Sequence, residues 1–253
     1  MSTRSTPSLS AVFGDPLGPA AATRRGTWAF LLFVLAVALY DLGWRSLHNL
    51  DLPRFGVLAR EMIRTGEWLV PTRYGEVYAN KPPLLIWMIA GPSKLLGEVT
   101  PFLVRLPGAL GLVLMVVSTA WWGRIRTGSV GVGRAAALLL LGTFLLTRLG
   151  RESRPDMLAA GLAALGTVLL DALAQRWGKP RHALLAGAIL GLAVLATGPA
   201  VLFGPAVVLL LPSPRFPTRR RLQGARLGWV LLGLLGVVLL WLVPAWLHAG
   251  GPY

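Results

Sequence analysis

Apolar runs recur along the whole chain after residue 27, separated by short connections rich in arginine. That repetition constrains the fold more than any other feature. A helix crossing a bilayer takes about 20 apolar residues, and inside lipid every backbone amide must be paired within its own element. A soluble domain carries about 25% charged residues, whereas only 14% of this chain is charged and 55% is hydrophobic. The sequence therefore predicts an all-α integral membrane protein.

Runs at 28–47, 102–122, 135–147, 157–173, 184–196, 200–211 and 227–246 predict about seven transmembrane helices. The connections at 124–134, 176–181 and 215–226 are strongly basic. By the positive-inside rule they lie in the cytoplasm together with the N-terminus. The expected location is thus the cell (plasma or inner) membrane, crossed several times. Residues 1–26 are rich in Ser, Thr, Pro, Ala and Gly and read as a disordered cytoplasmic tail, leaving 27–253 as the transmembrane domain. The net charge of +15 follows from these topology signals, so no nucleic-acid partner is expected. The absence of cysteine excludes disulfides and thiolate metal sites. His48, His182 and His248 show no metal-ligand spacing.

Two connections break the charge rule. Segments 51–81 and 148–156 are expected outside, yet each mixes basic and acidic residues. Polar groups gathered near membrane depth mark a functional site. The first segment, taken to residue 97, reads as a catalytic outer loop. Within it Leu52, Phe55, Ala59, Met62 and Ile63 share one helical face, and Arg54, Arg60, Glu61 and Arg64 share the other. This is an amphipathic helix suited to lie in the interface and to end at Gly66. The apolar run after Lys81-Pro82-Pro83 is short and interrupted by Gly91-Pro92, which predicts a second interfacial helix.

The candidate chemistry sits in these two segments: Asp51, Arg54, Arg60, Glu61 and Lys81 in the first, and Arg151, Glu152, Arg154 and Asp156 in the second. A carboxylate among cations suits transfer of a group from an anionic carrier. The base takes a proton from the acceptor, and the cations stabilise the departing phosphate. Plainer roles fit the same spacing. Glu61 and Arg64 can form an i,i+3 surface pair. Arg60 and Arg64 can meet the anionic head groups of membrane lipids. Asp156 suits the first turn of a helix.

The run DLPRFGVLAREMIRTGEWLVP, followed by GEVY and KPPL, resembles the first outer loop of the aminoarabinose transferase and protein O-mannosyltransferase superfamily. RPDM at 154–157, ATGP at 196–199, and VPAW with GGPY near the end resemble later motifs of that superfamily in the same order. The resemblance implies a glycosyltransferase of the C-type fold with two interfacial helices in its first outer loop. It implies inverting transfer from a polyprenyl-phosphate sugar to a lipid, glycan or protein hydroxyl. Carried over, it makes Asp51 the catalytic carboxylate and sets Lys81 and Arg54 on the lipid phosphate. Asp156 becomes a second acid that orients the acceptor or a bound divalent metal ion. Arg60, Glu61, Arg151 and Arg154 are the remaining candidate substrate contacts. Two positions depart from the family pattern: Leu52 replaces an acid, and Thr197 replaces the lysine of TKGP. The family pattern also continues past Tyr253, so the chain reads as an N-terminal catalytic half: a fragment, a minimal enzyme, a half that needs a partner subunit, or a degenerate copy. The rival reading is a non-catalytic membrane subunit that binds polyprenyl phosphate.

Overall fold

The structure is a computed structural model that describes residues 24–44, 51–176, 179–210 and 226–250. The side chains of residues 24, 51–53, 174–176 and 209 lie outside that description. So do the tail expected before residue 24, His48, and nearly all of the basic connection at 215–226.

The regular secondary structure of the described residues is helical apart from one short hairpin. In chain order they form α1 (Arg24–Leu39), α2 (Asp51–Thr65), β1 (Thr72–Arg73), β2 (Glu76–Val77), α3 (Leu84–Leu96), α4 (Pro101–Thr127), α5 (Val130–Leu141), α6 (Phe144–Leu149), α7 (Pro155–Arg176), α8 (Pro180–Thr197), a 3-10 turn (Pro199–Leu202), α9 (Phe203–Leu210) and α10 (Leu227–Ala249). Strands β1 and β2 pair antiparallel, Thr72 opposite Val77.

Among the described residues four helices are long and apolar enough to cross a membrane: Pro101–Thr127, Pro155–Leu173, Pro180–Thr197 and Leu227–Ala249. The other apolar helices are shorter. α5 has 12 residues, which gives about 18 Å against a hydrocarbon core of about 30 Å. The long helices stack through glycine. A Cβ at Gly123 would sit 2.7 Å from the Cα of Gly133, so α4 and α5 touch backbone to backbone. Gly111 and Gly161 do the same for α4 and α7, as do Gly187 and Gly233 for α8 and α10.

Local sequence sets the helix ends. α3 stops at Gly97, whose φ of 82° is left-handed. The Thr100 hydroxyl then accepts the Leu103 amide to start α4, with Pro101 in the first turn. The helix ends divide the molecule into two faces. One carries Arg124, Arg126 and Arg134 with the starts of α1, α8 and α10. The other carries α2, the hairpin, α3, the 150–156 connection and the ends of α8 and α10.

On the basic face α4 and α7 share a buried ion pair absent from the sequence reading. Asp171, fully buried, accepts Arg126 Nη2 at 2.7 Å and Trp122 Nε1 at 3.0 Å. The Arg126 guanidinium also lies 5.7 Å from the Trp122 ring. Breaking a buried pair strands the remaining charge, although Arg126 is 36% exposed and recovers part of its hydration. Asp171→Ala is expected to cost about 1–3 kcal/mol, read as a lower unfolding temperature in detergent. An unchanged midpoint would make the pair dispensable.

Candidate active site

The apolar stripe of α2 is buried at three of its expected positions, Phe55, Ala59 and Met62, while Ile63 is half-buried and Leu52 lies outside the described side chains. Leu58 is buried as well, while Arg60 and Arg64 are exposed. Gly66 closes the helix with φ 74°. The buried face packs on Leu85, Ile86, Ile89 and Ala90 of α3. Val104 at the start of α4, Leu158 and Ala159 at the start of α7, and Ala196 at the end of α8 complete the same apolar cluster. That cluster gathers three stretches of sequence onto one face. The start of α7 carries RPD, the end of α8 carries ATGP, and α2 with α3 flank the KPP turn.

A polar contact joins two of them. Lys81 Nζ donates to Thr197 Oγ1 at 3.0 Å, so the KPP turn and the ATGP motif, 116 residues apart, meet directly. Pro83 precedes α3 with a right-handed helical backbone, φ −83° and ψ −8°, so the KPP turn bends directly into that helix. Thr197 ends α8, and Gly198, at φ 114°, opens the next turn in a conformation that side chains rarely adopt.

The other candidates are placed as follows. Asp51 begins α2, and its side chain lies outside the described residues. Arg54, one turn further on, is half-buried with its guanidinium 5.3 Å from the Phe55 ring. Arg60 turns toward the end of α3, where it lines a separate recess with Ser93, Lys94 and Glu98. Asp156 is exposed in the first turn of α7, and Arg154 is half-buried just before it. Arg151 reaches the first helix: Nη2 donates to the Val37 carbonyl at 3.1 Å, and the guanidinium lies 5.6 Å from the Tyr40 ring. Glu152 pairs with Arg148 at 3.1 Å.

Glu61 departs from its expected place on the polar face. It is buried, because the hairpin folds over it. Oε1 accepts the Gly75 amide at 2.8 Å and the Thr72 hydroxyl at 3.2 Å, and Oε2 accepts the Tyr74 amide at 2.8 Å. The Gly75 amide bond, opposed by burial and helped by Tyr74, Thr72 and the nearby Arg64 charge, holds the carboxyl below its ordinary value of 4.5. A depressed carboxylate stabilises the fold above its unfolded pKa, and that contribution fades as pH falls through the lower folded pKa. Glu61→Ala should therefore flatten the loss of stability below about pH 4.5. It should also speed amide exchange at Tyr74 and Gly75 by about tenfold, the equivalent of one lost hydrogen bond. Exchange rates matching the wild type would separate the carboxylate from the hairpin.

Two structural residues at this face escaped the sequence reading. Arg105 lies buried in the first turns of α4, where Nη1 donates to the Leu42 carbonyl at 2.7 Å. An arginine inside an apolar run was its signal. Glu67 holds the loop to the last helix. Oε1 accepts the Leu69 and Val70 amides at 3.1 and 3.2 Å, and Oε2 lies 3.2 Å from His248 Nε2. Trp241 Nε1 adds a bond to the Leu69 carbonyl at 2.9 Å. Among the described residues no three Asp, Glu or His side chains gather as metal ligands would.

A family profile described as dolichyl-phosphate-mannose-protein mannosyltransferase matches residues 80–247, about two thirds of the chain. The chain belongs to this family. Similar proteins agree with that membership. An undecaprenyl phosphate-alpha-4-amino-4-deoxy-L-arabinose arabinosyl transferase of Shewanella sediminis is 31% identical over 229 residues, covering 87% of this chain and 40% of that protein. Its counterpart in Aeromonas hydrophila is 28% identical over 216 residues, covering 84% and 39%. Among solved structures, ArnT from Cupriavidus metallidurans bound to undecaprenyl phosphate superposes with a TM-score of 0.75 at 23% identity, over 91% of this chain and 43% of that one. The fold is thus shared, and this mannosyltransferase-family chain spans about two fifths of the length of these relatives.

Proposed function

We propose that this chain holds the donor side of a glycosyltransferase site that takes a sugar from a polyprenyl phosphate. The observation that carries the reading is the Lys81–Thr197 contact, which sits on the apolar cluster shared by the starts of α2 and α7. A half-buried lysine tethered by a hydroxyl is a fixed point charge for a phosphate. Membership of the mannosyltransferase family and likeness to transferases named for undecaprenyl-phosphate substrates support the same chemistry.

In this reading Asp51 takes the proton from an acceptor hydroxyl. The acceptor oxygen attacks the anomeric carbon, and the bond from that carbon to the phosphate oxygen breaks with inversion. The electron pair leaves on the polyprenyl phosphate, whose charge Lys81 and Arg54 stabilise. Asp156 and Arg154, at the start of α7, stand on the acceptor side. Arg151, and through it α1, positions that connection, and Glu61 positions the hairpin beside the KPP turn. Arg60 serves the lipid interface. The acceptor is a lipid, glycan or protein hydroxyl.

The reading keeps seven crossings, the N-terminus in the cytoplasm and the site on the outer face, because the basic face is the one expected inside. Segment 51–97 is then the catalytic outer loop. Cysteine placed at Glu76 and at Arg181 tests the sidedness in intact cells: an impermeant maleimide should label the first and spare the second. The reverse pattern would put the site in the cytoplasm. The reaction itself is tested by transfer of a labelled sugar from polyprenyl-phosphate donors.

A further inference from the structure

We propose that a narrow recess between α1, α4 and α5, at the membrane face opposite the candidate active site, binds the phosphate of an anionic phospholipid. The proposal does not depend on the glycosyltransferase reading.

The recess is lined by Thr27, Phe30, Leu31, Val117, Arg124 and Arg134, with two further small apolar residues. Its geometry follows from the glycine contact between α4 and α5. Gly123 and Gly133 bring the two backbones together, and the next residue on each helix is an arginine. Arg124 and Arg134 are thus held side by side at the end of a 27-residue helix, about 40 Å long, whose other end carries the candidate site. Arg134 is held in place. Its Nη2 donates to Thr27 Oγ1 at 2.6 Å, and its guanidinium lies 5.9 Å from the Phe30 ring. Gly26 leaves it room: a Cβ there would come within 3.3 Å of Nη1.

Charge and polarity then select the ligand. Among the described residues no carboxylate lines the recess. Asp171, the one described carboxylate on that face, is engaged with Arg126 and Trp122. Two guanidinium groups make a positive mouth suited to a phosphate. The wall of Phe30, Leu31 and Val117 is apolar and belongs to the helices α1 and α4. A mouth for an anion on a wall for a hydrocarbon describes an amphiphile. Basic pockets between membrane helices take anionic head groups in this way. The lipid would brace α1, which reaches the other face through the Arg151 and Arg105 contacts to its far end.

The test is native mass spectrometry of the purified chain after incubation with phosphatidylglycerol or phosphatidylcholine. The wild type should retain phosphatidylglycerol preferentially. Arg124→Gln and Arg134→Gln should each lower its retention about fivefold, the equivalent of one head-group contact. Leu31→Trp keeps both arginines and fills the apolar wall, and it should lower retention too. Millimolar inorganic phosphate should fail to displace the lipid. Equal retention of the two lipids, or retention unchanged in both glutamine variants, would overturn the proposal. Displacement by inorganic phosphate with no effect of Leu31→Trp would replace the lipid with a simple anion site and overturn it as well.

Discussion

Asp51→Asn is expected to lower sugar transfer by about 10²–10⁴-fold, the contribution of a positioned general base. The amide matches the carboxylate in size and still accepts a hydrogen bond, but at neutral pH it cannot take the acceptor proton. Asp51 begins α2, in which Phe55 is the first buried side chain among those described. The protein should insert and extract like the wild type, and donor binding should change little. The measurement is initial transfer rate at saturating donor beside donor affinity. A variant that transfers at the wild-type rate removes Asp51 from the mechanism. A variant that loses binding and rate together makes it a binding residue instead.

Lys81→Ala carries the second large effect. A charge-assisted bond to a phosphate contributes about 1.5–3 kcal/mol, so affinity for polyprenyl phosphate should fall about 10- to 150-fold. Thr197→Val removes only the hydroxyl that accepts from Lys81 Nζ. It leaves the charge in place but loosens it, and its effect should be severalfold smaller. That order separates the residue that binds from the one that positions it. Equal losses in both variants would point to a local packing defect. No loss in Lys81→Ala would leave the KPP turn without a role in binding.

Much of this architecture was legible in the chain, for reasons that differ by element. The buried stripe of α2 and its glycine end follow from a helical period that any amphipathic helix shows. Glu61 does not, since its burial depends on amides 13 and 14 residues further along that turn back over it. Gly91-Pro92 reads as a break, yet α3 runs through it, because a proline removes one backbone bond and packing on α2 maintains the rest. Thr197 reads as the loss of a cation, and only the fold shows its hydroxyl holding Lys81. The helix contacts at Gly111, Gly123 and Gly187 carry no periodic signal, and the Asp171 pair shows only as a lone acid ending an apolar run.

The most direct test of the account is transfer of radiolabelled sugar from a panel of polyprenyl-phosphate donors in membranes expressing residues 1–253. Transfer from at least one donor is expected, and it should disappear in Asp51→Asn. If these residues instead give no transfer and no saturable, Lys81-dependent binding of polyprenyl phosphate, the donor site described for this chain is contradicted.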